Sequence, residues 1–590
     1  MRRLFALIPY MTRRPWRLWG GFACLIATSL LTAYVPQIVG WAIETIELSE
    51  TVNGESLIID KHRLWNLIWL LVGLALAAGL FRFGMRKLLI DLSRLAERDF
   101  RDDLFRHLLK LSPSFYDRTM TGDIVTRLSS DIDAIRMVTG PGVMYLAQTA
   151  ITVPVVLGLM LTIDVPLTLI AMIPLVIVPV LTRVLANEMY QRSRDVQDQM
   201  STLSTMVQES LAGQRVIKSF NQEAPQQAKF DVINEEYVRR GLRFAWIFAA
   251  TFPLLHAIFA IGLLVTVWIG GLRLLSGAVT AGELGAIFLW IFHLYWPLIS
   301  LGWVLSLLQR GSASMARVQE LLDEHSDVAD RADAFTPPAF KGEIAFRALS
   351  FTYPGETQPA LEKIDLTVPA GQTVGIVGAT GSGKSTLAAL VARFYPVPDG
   401  VLLIDGHDIN RLRVSDLRQS IGFVAQETFL FSESIEDNIR FGQPEATRSE
   451  VEIASELAQL QEQVVSFPES YETMLGERGI NLSGGQRQRA AIARATILDP
   501  AILILDDALS AVDTDTEERI LEGLRGVMEG RTTLIIAHRI STVMSADEII
   551  VLDRGRIVER GTHATLTAKG GLYADMHRRQ LLEAQLEAVD

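Results

Sequence analysis

Cysteine is all but absent, with one residue, Cys24, in 590. It lies in an apolar run, so a disulfide framework and a thiolate metal site are both excluded, and it reads as a small buried hydrophobe. An excess of positive charge is missing too. Lys and Arg number 55 against 67 Asp and Glu, a formal net charge of −12, with a pI near 5.4. With no domain-scale basic stripe, a nucleic-acid partner is not expected. Glycine and proline are absent from residues 85–112 and 181–212, which excludes ordinary turns there. The first apolar run has no small-residue cleavage site followed by a polar sequence, so it is expected to span a membrane rather than act as a leader.

What the chain has in quantity is apolar surface, 49% of residues, with a mean hydropathy of +0.26. Its length is too great for one core, so two or more domains are expected. Six uncharged stretches, at 18–43, 64–81, 137–163, 165–182, 244–272 and 284–309, suffice to cross about 30 Å of hydrocarbon. Counting their continuations, the spans are placed at about 18–43, 64–88, 137–163, 165–188, 244–272 and 284–309. Asp164 alone separates the third from the fourth, which requires a tight hairpin. Arg2, Arg3, Arg13, Arg14 and Arg17 precede the first span, and the 44–63 loop is acidic. By the positive-inside rule the N-terminus is cytoplasmic, and an even span count returns the chain to the cytoplasm.

The connections at 82–136 and 183–243 are far longer than turns. Helices running through them would extend some 30–45 Å beyond the bilayer. Each meets Ser, Pro or Gly punctuation, so short turning helices are expected at the tips, near 114–120 and 212–219, placed to touch a soluble domain. Arg82 is expected to snorkel from the end of its span. His256 and His293 either line a substrate path or sit hydrogen-bonded between helices. Pro154, Pro174, Pro179, Pro253 and Pro297 are candidate kinks.

Residues 1–319 thus read as a transmembrane domain, 320–341 as a linker and 342–590 as an α/β nucleotide-binding domain. In the last, an apolar strand at 373–377 leads into Gly378-Ala379-Thr380-Gly381-Ser382-Gly383-Lys384-Ser385 and a helix at 386–394, beginning with Thr386. Strand, G-x-x-x-x-G-K-[ST], helix is a phosphate cradle in its proper context, which predicts ATP or GTP binding. The glycines let backbone N–H groups face phosphate oxygens, Lys384 brings a point charge, and Ser385 offers a hydroxyl to Mg²⁺. The strand at 501–507 ends in Asp506 and Asp507. The first is expected to hold the Mg²⁺ shell, and the second stands where a general base or water-orienting carboxylate belongs. His538 follows another apolar strand and is expected to face the γ-phosphate. Tyr353 offers a ring for purine stacking. Leu482-Ser483-Gly484-Gly485-Gln486 opens a helix at 487–498, a second anion cradle. One ATP does not need two distant cradles, so the second is expected to serve another subunit's nucleotide.

Together these residues closely resemble an ATP-binding cassette (ABC) exporter half-transporter: a six-span α-helical domain fused to an α/β P-loop cassette. The resemblance covers essentially the whole chain. It implies that Leu482–Gln486 is the signature motif, Tyr353 the adenine-stacking residue, and Gln426 the Q-loop ligand to Mg²⁺ and water. Ser510 and Asp513 look like the D-loop, His538 like the switch histidine, and Gly476-Glu477-Arg478-Gly479 like the segment that meets the intracellular loops. The tip helices match coupling helices. The family's cassettes close head to tail on two ATPs, each held between one P-loop and the other cassette's signature motif.

One departure stands out. The family carries glutamate after the Walker B aspartate, and here it is Asp507. The carboxylate retreats by about 1.5 Å, one C–C bond, and a misplacement of about 1 Å can cost roughly 10²-fold in rate. The resemblance therefore implies a slow ATP site on this chain and a heterodimer whose partner carries the glutamate. A homodimer with two slow sites, or an ATP-gated regulator or channel-like assembly, are the alternatives. ATP and Mg²⁺ are the expected cofactors. A second half-transporter, lipid and a hydrophobic drug, lipid or peptide are the expected partners, in a bacterial cytoplasmic membrane.

Overall fold

In hydrocarbon every backbone N–H and C=O must find its partner within its own segment, and the apolar runs accordingly fold as helices. The computed structural model describes residues 2–50, 61–476, 479–510 and 514–587. Among these, six helices are long and apolar enough to cross a membrane: α1 (Pro15–Glu50), α2 (Lys61–Leu108), α3 (Thr121–Ile163), α4 (Val165–Ala212), α5 (Glu223–Leu275) and α6 (Ala281–Leu322). The expected spans lie inside them. Helices α4 and α5 hold 48 and 53 residues, so each is more than twice as long as a bilayer core is thick. The candidate prolines all lie inside helices.

The chain divides into two units: Met1–Leu109 with Thr121–Glu324, and Lys110–Met120 with His325–Asp590. Within the first unit, α1 and α6 cross at two glycines. A Cβ on Gly282 would lie 2.2 Å from the Gly40 carbonyl oxygen, so only small residues permit this approach. The fully buried Trp290 donates its indole N–H to the Ala33 carbonyl at 2.7 Å, pinning α6 to α1. The hairpin at Asp164 is built by that residue's own carboxylate. One oxygen caps α4 by accepting from the Leu167 amide at 2.7 Å, and the other pairs with Arg273 of α5 at 2.5 Å. Helix α3 contains two π-helical stretches, Arg127–Asp131 ahead of its apolar run and Val138–Gly142 at the start of it, the second around Pro141, which has no N–H to donate. Buried Asp131 at the first pairs with Arg317 of α6.

The second unit holds two sheets. Strands β1 (Ile344–Phe351), β2 (Leu361–Val368), β4 (Leu402–Ile404) and β5 (His407–Asp408) form an antiparallel sheet in the order β2-β1-β4-β5. The larger sheet runs β10-β9-β3-β8-β7-β6, from β3 (Thr373–Gly378), β6 (Ile421–Val424), β7 (Ile502–Asp506), β8 (Thr532–Ile536), β9 (Glu548–Asp553) and β10 (Arg556–Gly561). All its pairings are parallel except β9 with β10. Strands β7 and β8 are buried throughout, as continuous apolar runs in a covered parallel sheet should be.

Several boundaries move. The helix after the P-loop, α7, is Lys384–Val391 rather than 386–394, because Gly383, at φ +100, already serves as its N-cap. The signature helix, α8, is Gly484–Thr496 rather than 487–498, because Ser483 and Gln486 form a capping box. The tip helices are Pro113–Arg118 and Gln214–Ser219. The first starts at Pro113 and stops where Thr119 turns extended. The 320–341 linker is only partly a linker: α6 continues to Leu322, and Arg331 then pairs with Asp399 at 2.5 Å and Phe335 bridges to Leu412.

Candidate nucleotide site

Strand order assembles the site. Neighbouring parallel strands β3, β8, β7 and β6 present in turn the P-loop, His538, Asp506 with Asp507, and Gln426 just past their carboxyl ends. That is the crevice side of an open α/β sheet. Pairings such as Val424 with Leu505 and Asp506 with Ile536 fix their registers.

The P-loop turns on its glycines. Gly383 is left-handed at φ +100, and a Cβ there would meet the Ala360 carbonyl at 2.6 Å, so any other residue would be both strained and clashing. Lys384 folds back over the loop, donating to the Gly378 and Ala379 carbonyls at 2.9 and 3.0 Å. Burial pushes its amine below the ordinary lysine range, partly offset by the charges of Asp507 and Asp506. The Ser382 hydroxyl is buried with no protein partner, which costs free energy unless an anion or water accepts its proton. The Ser385 hydroxyl donates to Asp506 at 3.0 Å. Burial raises the Asp506 carboxyl above the usual range. Ser385 pulls it down, Asp507 pushes it up, and Lys384 and His538 lower it. All these groups are therefore within electrostatic reach of one another.

These features fit a magnesium nucleotide. Ser385 and Asp506 are paired as protein ligands of a hydrated Mg²⁺ would be, and the orphaned Ser382 hydroxyl needs an acceptor. Among the described residues no group of three His, Cys, Asp or Glu could hold a metal, so phosphates and water would complete the shell. Gln426, exposed two residues beyond β6, lies beside the β7 end that carries Asp506.

Asp507 occupies a left-handed conformation, φ +50, which costs a non-glycine residue free energy and is tolerated best by Asp and Asn. Hydrogen bonds on both its N–H and its carbonyl hold it there. Its N–H donates to Ile536 O at 2.8 Å, and its carbonyl accepts from the Ser510 hydroxyl at 3.0 Å and from Gln488 of α8 at 3.4 Å. Gln488 also donates to Ser510 at 3.0 Å. This tie between the signature helix and the carboxylate loop leaves no mark in residue order.

Tyr353 is half-buried behind the P-loop. Its phenol shares a hydrogen bond of 2.9 Å with Thr386, and its ring meets Phe351 and Tyr395 edge-on at 5.1 Å each. In the signature stretch, Leu482 and Gly485 are buried. The exposed Ser483 hydroxyl accepts from the Gln486 amide at 3.3 Å, and the Gln486 side chain accepts from the Ser483 amide at 2.8 Å. Among the described residues, no hydrogen bond joins Leu482–Gln486 to the P-loop. Asp513 of the D-loop and Glu477 and Arg478 lie outside the described residues.

The first unit contains a separate cavity of about 270 Å³ between α2, α3 and α6. Arg82, Arg86, Gln148, Thr152, His293 and Trp296 line it. Arg82, expected to snorkel, is exposed and shares a cavity wall with His293. His256 is held within its own helix, Nδ1 lying 2.7 Å from the Phe252 carbonyl, while its ring packs on Tyr295 of α6.

Comparison with known proteins adds to this geometry. Residues 18–298 match the ABC transporter transmembrane region, and 361–510 match the ABC transporter domain. The chain is 35% identical over 587 residues to the multidrug resistance-like ATP-binding protein MdlA of Escherichia coli (strain K12), covering 99% of this chain and 98% of that one. It is 36% identical to the ATP-dependent lipid A-core flippase of Syntrophus aciditrophicus (strain SB), over 82% of this chain and 80% of that one. A bacterial Atm1-family ABC exporter solved with ATP bound superposes with a TM-score of 0.80 at 28% identity, covering 96% of this chain and 99% of that one.

Proposed function

We propose that this chain, which belongs to the ABC transporter family and is an integral membrane exporter subunit coupling ATP hydrolysis to transport, is the half of a heterodimer that clamps ATP more than it cleaves it. The observation that carries this reading is Asp507, directly after Asp506 at the end of β7, beside a P-loop with every phosphate-binding residue in place.

In this reading Tyr353 stacks on adenine, the amides of 378–386 and Lys384 hold the phosphates, and Ser385, Asp506 and Gln426 hold Mg²⁺. The ion, when bound, neutralises charge on the β- and γ-phosphates. His538 faces the γ-phosphate, and Asp507 orients water from too far back. Leu482–Gln486, with Ser510 and Asp513 of the D-loop, completes the partner's site. Capped by Ser483 and led by Gly484 and Gly485, the α8 N-terminus is built to meet an anion there. Brisk hydrolysis then belongs to the partner's P-loop.

The cavity at Arg82 and His293 is the proposed substrate chamber. Two guanidinium groups and no carboxylate line it, alongside Met85, Met144 and Phe292, which suits a hydrophobic drug or lipid whose polar end carries negative charge. The membrane proposed is the bacterial cytoplasmic membrane, with cassette and N-terminus inside.

The test is ATP turnover of the chain alone and of Asp507→Glu, and substrate uptake into inverted vesicles with co-expressed partners. Asp507→Glu should raise turnover by about 10- to 100-fold, the reverse of a misplacement of about 1 Å. Unchanged turnover would overturn the reading of Asp507. Equal activity of the lone chain and every co-expressed pair would identify a homodimer. Turnover without ATP-dependent accumulation of any cargo would instead identify a regulator.

A further inference from the structure

The loop that carries His538 is bracketed by a side chain from the far end of the chain. Helix α9 runs Thr514–Met528, and Gln580 lies on the C-terminal helix α10 (Leu572–Glu587). Its amide nitrogen donates to the His538 carbonyl at 2.6 Å, and its amide oxygen accepts from the Ile540 N–H at 2.8 Å. One primary amide thus spans residues 538–540 as the backbone of a neighbouring strand would.

The opposite side of the loop is held by Glu517 of α9, whose carboxylate is buried. It accepts from Arg539 at 2.9 Å and from the Thr542 hydroxyl. Gln580, however, is the side chain bonded to residue 538 itself. Its helix is seated firmly. The Glu559 carboxylate accepts from the Leu572 and Tyr573 amides at 2.8 and 3.1 Å, anchoring the start of α10. Tyr573 is fully buried, and its hydroxyl meets His563 Nδ1 at 2.8 Å. Met576 packs against the same core. Residues 573, 576 and 580 recur at helical spacing on one face, so burial of that face delivers the Gln580 amide to the loop.

We infer that Gln580 is a positioning residue for His538, and that docking of α10 therefore sets the hydrolytic competence of this chain's own ATP site. The inference rests on the role proposed for His538. With the carbonyl of residue 538 and the amide of residue 540 both fixed, the backbone between them is fixed, and with it the direction from which the imidazole leaves the chain. Loss of the bracket frees the loop to shift by the fraction of an ångström that matters at a reacting centre. Nucleotide binding, which depends on the P-loop, is untouched.

The experiment is a double-variant cycle on the full chain with Mg-ATP, in both the Asp507 and Asp507→Glu backgrounds. Gln580→Met keeps length and removes both hydrogen bonds. Gln580→Glu keeps an acceptor for Ile540 and sets an oxygen against the His538 carbonyl, and it decides the matter should the Met variant fail to bind nucleotide. Each should lower kcat about tenfold with KM within twofold. Combined with His538→Ala, neither should lower kcat further, because both act through one group. Unchanged kcat, a loss expressed in KM, or losses that multiply in the double variant would each overturn the inference. If His538→Ala alone costs no turnover, it is instead the proposed role of His538 that fails.

Discussion

The Tyr395 phenol donates to the Asp117 carboxylate at 2.5 Å. Asp117 sits on the first tip helix, a segment that belongs by its contacts to the cassette unit. Burial, and then the bond to Asp117, pushes the phenol well above its ordinary range, so it stays a donor at any physiological pH. The Tyr395 ring in turn meets the Tyr353 ring at 90° and 5.1 Å, and Tyr353 shares its hydroxyl with Thr386. Ser114 of the same tip helix donates to Asp327 at 2.7 Å. A continuous chain of contacts therefore runs from the nucleotide site to the tip helix.

Tyr395→Phe keeps the ring and removes the hydrogen bond, worth about 1 kcal/mol net at a partly exposed site. ATP turnover should persist, while cargo moved per ATP falls severalfold. Parallel assays of phosphate release and vesicle uptake check this. Equal losses in both would show that the pair supports the site rather than its link to transport.

Removing the guanidinium groups from the transmembrane cavity should act on cargo choice. Arg82→Ala with Arg86→Ala is expected to lower uptake of anionic amphiphiles at least tenfold while leaving a neutral apolar dye within twofold, since only the former loses a charge partner. Competition between the two in inverted vesicles is the measurement.

Asp164 caps α4 and pairs with Arg273, so its two oxygens do separate work. Asp164→Asn keeps a cap and loses the ion pair, whereas Asp164→Ala loses both. Thermal unfolding in detergent should rank wild type above Asn above Ala. The cap alone is worth about 1 kcal/mol.

The seat of α10 should weaken in mild acid. Burial, and then the charge of His577, hold His563 below its ordinary value. The folded state thus binds fewer protons than the unfolded state, and stability rises with pH. The contribution is complete above the unfolded value of about 6.5 and is lost as pH falls below it. A thermal melt between pH 7.5 and 5.5 should show the decline, and His563→Gln should flatten it.

The six spans, the P-loop, the β7 carboxylates and the signature cap were all readable from residue order. Each is set by neighbours within one turn, one strand or one hydrophobic period. Helix ends were less readable, since Gly383 and the Ser483–Gln486 box start their helices earlier than apolar periodicity does. Gln488, Tyr395 and Gln580 gave no signal, being ordinary polar or aromatic residues whose meaning lies in partners elsewhere. The bond from Tyr395 to Asp117 crosses 278 positions of the chain. The bond from Gln580 to His538 crosses 42.

Residue order alone was enough to specify a membrane-spanning ABC-type chain with an intact phosphate cradle and a shortened carboxylate after Asp506. Hydrophobic length and glycine conformation are local properties, and no fold is needed to see them. The arrangement of β3, β8, β7 and β6 side by side, the left-handed turn that aims Asp507, and the amide bracket on the His538 loop came from the folded chain. Those depend on which strands pair and which helix faces are buried together, a choice made by packing among residues that are far apart in sequence.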